Sequence, residues 1–237
     1  DWWSALGDPQ LVRLIESGIA GNPSLTMAQA RLDRARAGVI FAESALRPEA
    51  IGALDITRQR FSESGFVPGS AGQWAWQNRM AIDLTWELDF WGKNRAALQA
   101  AIGQLKAGEV DLFAARLALT TAIARAYVEL NRLYEQLDIA RATVKHREGV
   151  YAITAQRFDA GIDSRVELAQ AEAAVPSARA DLVAIEELIA LKRNFLAALS
   201  GGGPDAGLAL QRPSLAAGSA VVVPAKLPPD LVGRTPE

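Results

Sequence analysis

Few side chains in this 237-residue chain could do chemistry, and their types exclude several kinds of site. The chain has no cysteine and a single histidine, His146. It therefore has no thiolate zinc ligand, no cysteine nucleophile and no histidine-rich metal site. His146 lies in the polar run 145–148, where we expect a solvated surface residue. We expect a protein that is not an enzyme and has no cofactor or metal.

Three carboxylates form the only regular acidic pattern of interest. Asp83, Glu87 and Asp89 share one parity, so they would lie on one face of an extended strand. No acid–base partner is identifiable beside them. The simplest interpretation is a wall that faces water, and a second is a channel lumen that prefers cations.

Composition narrows the class of protein further. The chain has 25 Lys and Arg against 27 Asp and Glu, and half of its residues are hydrophobic. This near-neutral balance argues against a nucleic-acid binder, and the hydrophobic content argues for a packed structure. No run of about 18 apolar residues predicts a transmembrane helix, and no positively charged start followed by an apolar stretch marks a signal peptide.

Helical patterns occupy most of the chain. Asp8 and Pro9 predict the start of a short helix that ends at Gly21, and a second helix should run from Pro23 to about Leu46. A third, unusually long helix is predicted from about Asn94 to Phe158. Its 3-4 apolar spacing is that of a left-handed coiled coil. The residues of this seam are Leu98, Ile102, Leu105, Leu112, Leu119, Ile123, Ala126, Leu130, Leu133, Leu137, Ala140, Val144 and Tyr151.

The long helix is predicted to turn back on itself. Gly161 suits the left-handed position that ends a helix, and Ser164 with Glu167 forms a capping box that starts another. The return helix should reach Gly201, with a kink or break at Pro176. A long antiparallel coiled coil of this kind is compatible with a simple scaffold.

Between the second and third helices the apolar period changes from 3.6 to 2. One face of the main strand reads Trp74, Trp76, Asn78, Met80, Ile82, Leu84, Trp86, Leu88 and Phe90. Aromatic residues at both ends with an apolar band between them are typical of a lipid-facing membrane strand. We expect the segment 80–90 to span the membrane, and a weaker alternation around Leu54 and Ile56 to form its partner. Two strands cannot close a barrel, so copies or further chain must supply the others.

Short motifs along the whole chain resemble the TolC-like outer-membrane efflux proteins, in particular the NodT-type channels of resistance-nodulation-division pumps. The most specific motif lies at the junction of strand and helix. The matching segments are Asp1–Ser4, Gly7–Leu11, Asn22–Leu25, Ala28–Leu32, Ala35–Ala37, Trp86–Lys93, Arg157–Ser164 and Leu227–Leu231.

The resemblance implies a fold and a set of partners. The fold would be mainly α, with long coiled-coil helices of an α-barrel and two strands of an oligomeric transmembrane β-barrel. The expected domains are N-terminal helices (1–47), membrane strands with an external loop (48–91), a periplasmic helical hairpin (92–200) and an equatorial linker (201–237). The partners would be a homotrimer, a periplasmic adaptor protein, an inner-membrane pump and outer-membrane lipid, with no nucleic acid. The family's lipid-carrying cysteine is not seen.

The resemblance and the strand pattern together assign roles to residues. The helical turn would dock the adaptor, through Arg157, Gly161, Ile162, Ser164 and Glu167. The lumen would be lined by Asp83, Glu87 and Asp89. The lipid-facing girdle would be formed by Trp74, Trp76, Ile82, Leu84, Trp86, Leu88 and Phe90.

The function expected from these features is a passive exit duct in a bacterial outer membrane, which exports small molecules delivered by a pump. The family has two sequence-related halves, and this chain resembles only the first, so we expect a fragment or a natural half-length protein. Two alternatives stay open: a soluble coiled-coil scaffold with a small β-hairpin, and a duct for type I protein secretion. The sequence does not identify the exported compound.

Overall fold

The computed structural model describes residues 2–64 and 72–215 of the chain. Four predictions involve residues outside these ranges: part of the external loop, part of the linker, the motif Leu227–Leu231 and Asp1. A short 3-10 turn covers Trp2–Leu6. It is followed by α1 (Pro9–Gly21), α2 (Pro23–Ser44), β1 (Glu49–Arg60), β2 (Trp74–Thr85), α3 (Lys93–Asp159), α4 (Arg165–Leu199) and α5 (Pro204–Leu208).

The fold class is the one predicted: long helices and one antiparallel pair of strands. The described residues divide into two compact units. The first contains the residues up to Met27 and those from Phe113 onward, and the second contains Ala28–Leu112. This division differs from the four expected segments because α2 and α3 each run through both units.

The start of α1 is set by Asp8 and Pro9, as predicted. The Asp8 carboxylate accepts a hydrogen bond from the Gln10 backbone N–H at 2.8 Å. Such a cap satisfies one of the free N–H groups in the first helical turn. The apolar face that follows is buried in the first unit, through Leu11, Leu14 and Ile15.

The core of the first unit is built on the middle of α3. The buried residues there repeat every three or four positions: Leu119, Ile123, Ala126, Leu130, Leu133 and Leu137. They pack in one cluster with Leu11 and Ile15 of α1 and with Ile189 and Leu196 of α4. The predicted seam is therefore fully buried only over this stretch. Val144 is half-buried and Tyr151 is exposed, since no helix in the described part of the chain covers them completely.

The return helix α4 continues through Pro176 without a break. Proline removes one hydrogen bond from a helix, but a long helix that is packed elsewhere can tolerate this loss. Ala178 on the next turn is buried, as are Ile189 and Leu196 further along. A break at Pro176 is thus excluded.

A buried polar network fixes the chain after α5 against α1 and α3. The Asp8 carboxylate accepts hydrogen bonds from the Tyr127 hydroxyl at 2.5 Å and from the Ser214 backbone N–H at 2.8 Å. The Gln10 side chain donates to the Gln211 carbonyl at 3.1 Å and accepts from the Gln211 N–H at 3.0 Å. Burial raises the pKa of Asp8, but the hydrogen bonds from Tyr127, Ser214 and Gln10 together hold it below its usual value of 3.8.

Replacing Asp8 should therefore destabilise the first unit. In Asp8→Asn the amide nitrogen cannot accept from Tyr127 or Ser214, so we expect a loss of about 1–3 kcal/mol in the free energy of unfolding at pH 7. A urea titration of the purified protein measures this loss. The exposed Asp33, which pairs with Arg36, provides the control, and Asp33→Asn should cost less than about 0.5 kcal/mol.

The pH dependence follows from the lowered pKa. A carboxyl group with a depressed folded-state pKa contributes stability above its ordinary pKa and loses it as the pH falls through the folded-state value. The wild-type protein should thus lose stability below about pH 3.8 relative to Asp8→Asn. Equal acid sensitivity of the two proteins would contradict this role for Asp8.

Candidate functional site

The two strands form a hairpin whose faces differ in polarity. The antiparallel register pairs Glu49 with Thr85 at one end and Arg60 with Trp74 at the loop end. Directly paired residues lie on the same face. The face of β2 that carries the predicted girdle is continued on β1 by Ala50, Gly52, Leu54, Ile56, Arg58 and Arg60.

The apolar face has the dimensions of a membrane span. Trp74 and Leu84 are ten residues apart, or roughly 33 Å along an extended strand. The usual barrel tilt of about 40° reduces this length to roughly 25 Å, the height of a typical apolar band. The large side chains on this face are uncovered: Leu54, Ile56, Trp74, Trp76, Met80, Ile82 and Leu84 are each at least 60% exposed.

The strand prediction was wrong at one end. The predicted alternation runs from Trp74 to Phe90, with the span at 80–90, but β2 runs over Trp74–Thr85 and so ends five residues early. The reason is the partner strand: β1 begins at Glu49, which pairs with Thr85, and Pro48 before it has no N–H to donate. Trp86, Leu88 and Phe90 therefore lie beyond the strand, although all three are exposed.

Two of the three predicted strand carboxylates also lie outside the strand. Asp83 is on the polar face of β2, opposite Ile51. The Asp89 carboxylate instead accepts a hydrogen bond from the Arg95 backbone N–H at 2.9 Å, in the first turn of α3. Glu87 lies 3.4 Å from the Lys93 ammonium group. Both residues thus stabilise the start of α3, and only Asp83 keeps the position in a strand face that was predicted.

The turn between α3 and α4 is closed by local hydrogen bonds. Gly161 has a φ of 73°, as its predicted role at the helix end requires. The Ile162 and Gly161 N–H groups donate to the Arg157 and Phe158 carbonyls at 2.8 and 2.9 Å, the pattern of a Schellman motif. Ser164 and Glu167 form the predicted capping box. The pKa of Glu167 is lowered because its carboxylate accepts hydrogen bonds from Ser164.

Arg157 has a structural role that the sequence reasoning missed. Its Nε donates to the two oxygens of the Asp163 carboxylate at 3.0 and 2.9 Å, and one Nη donates at 2.9 Å. This fork raises the pKa of the Arg157 guanidinium group, with the Asp163 hydrogen bonds as the main cause. Asp163, a polar residue six positions on, was the available signal. We call this ion pair the Arg157–Asp163 clamp. Ile162 beside it and Val166 in the first turn of α4 are about two-thirds exposed.

Other candidate sites offer no chemistry in the described part of the chain. His146 lies on the exposed surface of α3, beside a shallow groove lined by Lys145, Gly149 and Ile153. Residues 2–64 and 72–215 contain no group of three or more acidic or histidine side chains placed to hold a metal ion. Within the same ranges, each helix is either too short or too polar to cross a membrane.

Comparisons with known proteins agree with these features. A family model described as outer membrane efflux protein matches residues 14–202. The chain is 35% identical to the fusaric acid resistance protein FusA of Burkholderia cepacia, over all of this chain and 45% of that protein. It is 30% identical to the multidrug resistance outer membrane protein MdtP of Escherichia coli, over all of this chain and half of that protein.

A solved structure gives the same result at the level of the fold. The outer membrane protein VceC of Vibrio cholerae matches with a TM-score of 0.80 and 35% identity, over 91% of this chain and 53% of that chain. The present chain therefore spans about half the length of the relatives it matches. With the hairpin, the long helices and the family match taken together, the chain belongs to the outer membrane efflux protein family.

Proposed function

We propose that this chain supplies part of the wall of a passive exit duct in the outer membrane of a Gram-negative bacterium. The observation that carries the proposal is the β1–β2 hairpin, with an exposed apolar face about as tall as a bilayer core and a polar face behind it. Family membership supports the same assignment. In this role the protein needs no cofactor and catalyses no reaction.

The unpaired strand edges require further strands. In the described residues β1 and β2 pair only with each other, so the outer edge of each leaves its N–H and C=O groups without strand partners. Such edges are not viable in hydrocarbon, where water cannot satisfy them. We infer that the duct is a homo-oligomer, a trimer as in the family, in which other copies and further chain close the barrel.

The cargo is inferred from the relatives. The names of FusA and MdtP refer to fusaric acid resistance and to multidrug resistance. We infer that this chain exports small organic compounds rather than proteins, driven by an inner-membrane pump through a periplasmic adaptor.

The turn between α3 and α4 is the proposed adaptor-docking surface. Its backbone is held by the Schellman motif, the Ser164–Glu167 capping box and the Arg157–Asp163 clamp. A rigid turn of this kind lowers the entropy lost on binding. The exposed Ile162 and Val166 give it an apolar contact surface.

Cross-linking tests the docking position. This chain contains no cysteine, so Ile162→Cys introduces a single thiol at the turn. Ile139→Cys is a matched control, because Ile139 on α3 is 67% exposed and Ile162 is 66% exposed. We expect a thiol-reactive cross-linker to join the adaptor to position 162 and not to position 139 in intact cells. Equal cross-linking from both positions, or cross-linking only near the strand loop, would exclude the turn as the docking site.

A charge exchange separates the clamp from direct contact with the adaptor. Arg157→Asp should loosen the turn and reduce both cross-linking at position 162 and resistance to the exported compound. The double exchange Arg157→Asp with Asp163→Arg re-creates the ion pair with reversed polarity. If Arg157 only positions the turn, this double variant should recover most of the cross-linking at position 162 and most of the resistance. If it stays as defective as the single variant, Arg157 contacts the adaptor itself.

Of the three carboxylates predicted to line the lumen, Asp83 is the one that lies in a strand. We propose that the polar face of the hairpin faces the lumen, where a carboxylate would favour cations. Asp83→Asn should then reduce the cation selectivity of single channels, measured as the reversal potential in a salt gradient. Glu87→Gln is the control, since Glu87 lies beyond the strand and pairs with Lys93. An unchanged reversal potential in Asp83→Asn would remove the lumen assignment.

A further inference from the structure

Two arginines lie on the face of the hairpin that would meet lipid, and not on the face that would line a water-filled lumen. The register places Arg58 opposite Trp76 and Arg60 opposite Trp74, so all four side chains share the apolar face near the loop end. We call these four residues the basic-aromatic patch. The polar face at the same end is uncharged, and Gln59 there donates to Gln77 at 2.6 Å. Near the loop end, the positive charge on the strands thus lies only on the face that would meet lipid.

The position of the patch along the strands agrees with a membrane interface. An arginine on the lipid face costs about 2–4 kcal/mol at the bilayer midplane and close to nothing at the interface. The purely apolar part of this face ends at Ile56 and Met80, and the arginines follow at its loop side. At the opposite end the face closes with Ala50 and Leu84, so this face carries cations at one end only.

The two arginines are held in place but keep free donors. The Arg58 guanidinium carbon lies 5.8 Å from the centre of the Trp76 ring, which orients it along the strand face. Arg58 has no ion-pair partner among residues 2–64 and 72–215. Arg60 donates through Nε to the Gly72 carbonyl at 2.9 Å and has a longer contact of 3.7 Å with Glu63. Its side chain remains 59% exposed.

The chemistry that fits this patch is a phosphate group attached to a lipid. Guanidinium groups bind phosphate through paired, charge-assisted hydrogen bonds, and the tryptophan rings favour the region between acyl chains and headgroups. A free phosphate ion would gain nothing from the apolar surface beside the arginines. On the proposed function, on which this step rests, the loop end faces away from the periplasmic helices, toward the outer leaflet. We propose that the basic-aromatic patch binds the phosphate groups of outer-leaflet lipopolysaccharide.

The test uses the complete oligomeric protein, stripped of lipid and reconstituted in bilayers of neutral lipid. The probe is lipid A with its phosphates, and the matched probe is lipid A with the phosphates removed. Lipid A retained per protein is measured by native mass spectrometry. Wild-type protein should retain the phosphorylated form preferentially, by about thirtyfold, the effect expected for two arginines near an anionic surface.

Variants locate the effect. Arg58→Gln with Arg60→Gln should abolish the preference, and the conservative pair Arg58→Lys with Arg60→Lys should keep part of it. Arg79→Gln is the control, since Arg79 lies on the same strands but on the opposite face, across from Asp55. An equal loss in the control, or an undiminished preference in the glutamine variant, would overturn the proposal.

Two further outcomes separate the possible failures. Displacement of lipid A by millimolar inorganic phosphate would show that the patch takes free phosphate, which overturns the lipid assignment. Failure of the wild-type protein to insert into any bilayer would refute the proposed membrane function, and this proposal with it. Insertion without discrimination between the two forms of lipid A would refute only the phosphate site.

Discussion

Backbone hydrogen bonding at the edges of the hairpin is the constraint on which the rest depends. A strand of 12 residues presents unpaired N–H and C=O groups along its outer edge, and hydrocarbon offers no water to satisfy them. An isolated two-stranded hairpin is also at best marginally stable in water. The hairpin therefore needs other strands in either solvent. The first unit differs, because Leu119 to Leu137 of α3 are buried by helices of the same chain.

Each of the two proposed contact surfaces combines groups that fix its geometry with side chains that stay exposed. At the turn, Arg157 and Asp163 hold the backbone while Ile162 and Val166 stay exposed, so fixed geometry and free apolar surface occur together. On the hairpin, Trp76 orients Arg58 while both stay exposed. In each case, a charged side chain is kept in one geometry by a neighbour that is close in the fold. Preorganisation of this kind reduces the ordering cost when a partner binds.

Local signals in the sequence were sufficient for most of the elements. Asp8-Pro9 marked the start of α1, and Gly161 with Ser164 and Glu167 marked the turn, because caps depend on residues within a few positions. The change of period from 3.6 to 2 located the strands for the same reason. The Arg157–Asp163 clamp was partly predictable, since the two residues are close in the chain. The hydrogen-bond network of Asp8, Tyr127 and Ser214 could not be predicted from the sequence, because Tyr127 and Ser214 are each more than a hundred residues from Asp8 along the chain.

The sequence by itself thus determined the elements, the amphipathic face of β2 and the family resemblance. The tertiary structure decided where β2 ends, that Arg58 and Arg60 are paired with Trp76 and Trp74, and which carboxylates are in a strand. The physical reason is pairing: alternation reports which side a residue faces, but a strand continues only while a partner backbone accompanies it. The partner strand β1 begins at Glu49, directly after Pro48, and Glu49 pairs with Thr85, so β2 has no partner beyond Thr85. Glu87 and Asp89 therefore serve the start of α3, although their spacing is that of a strand.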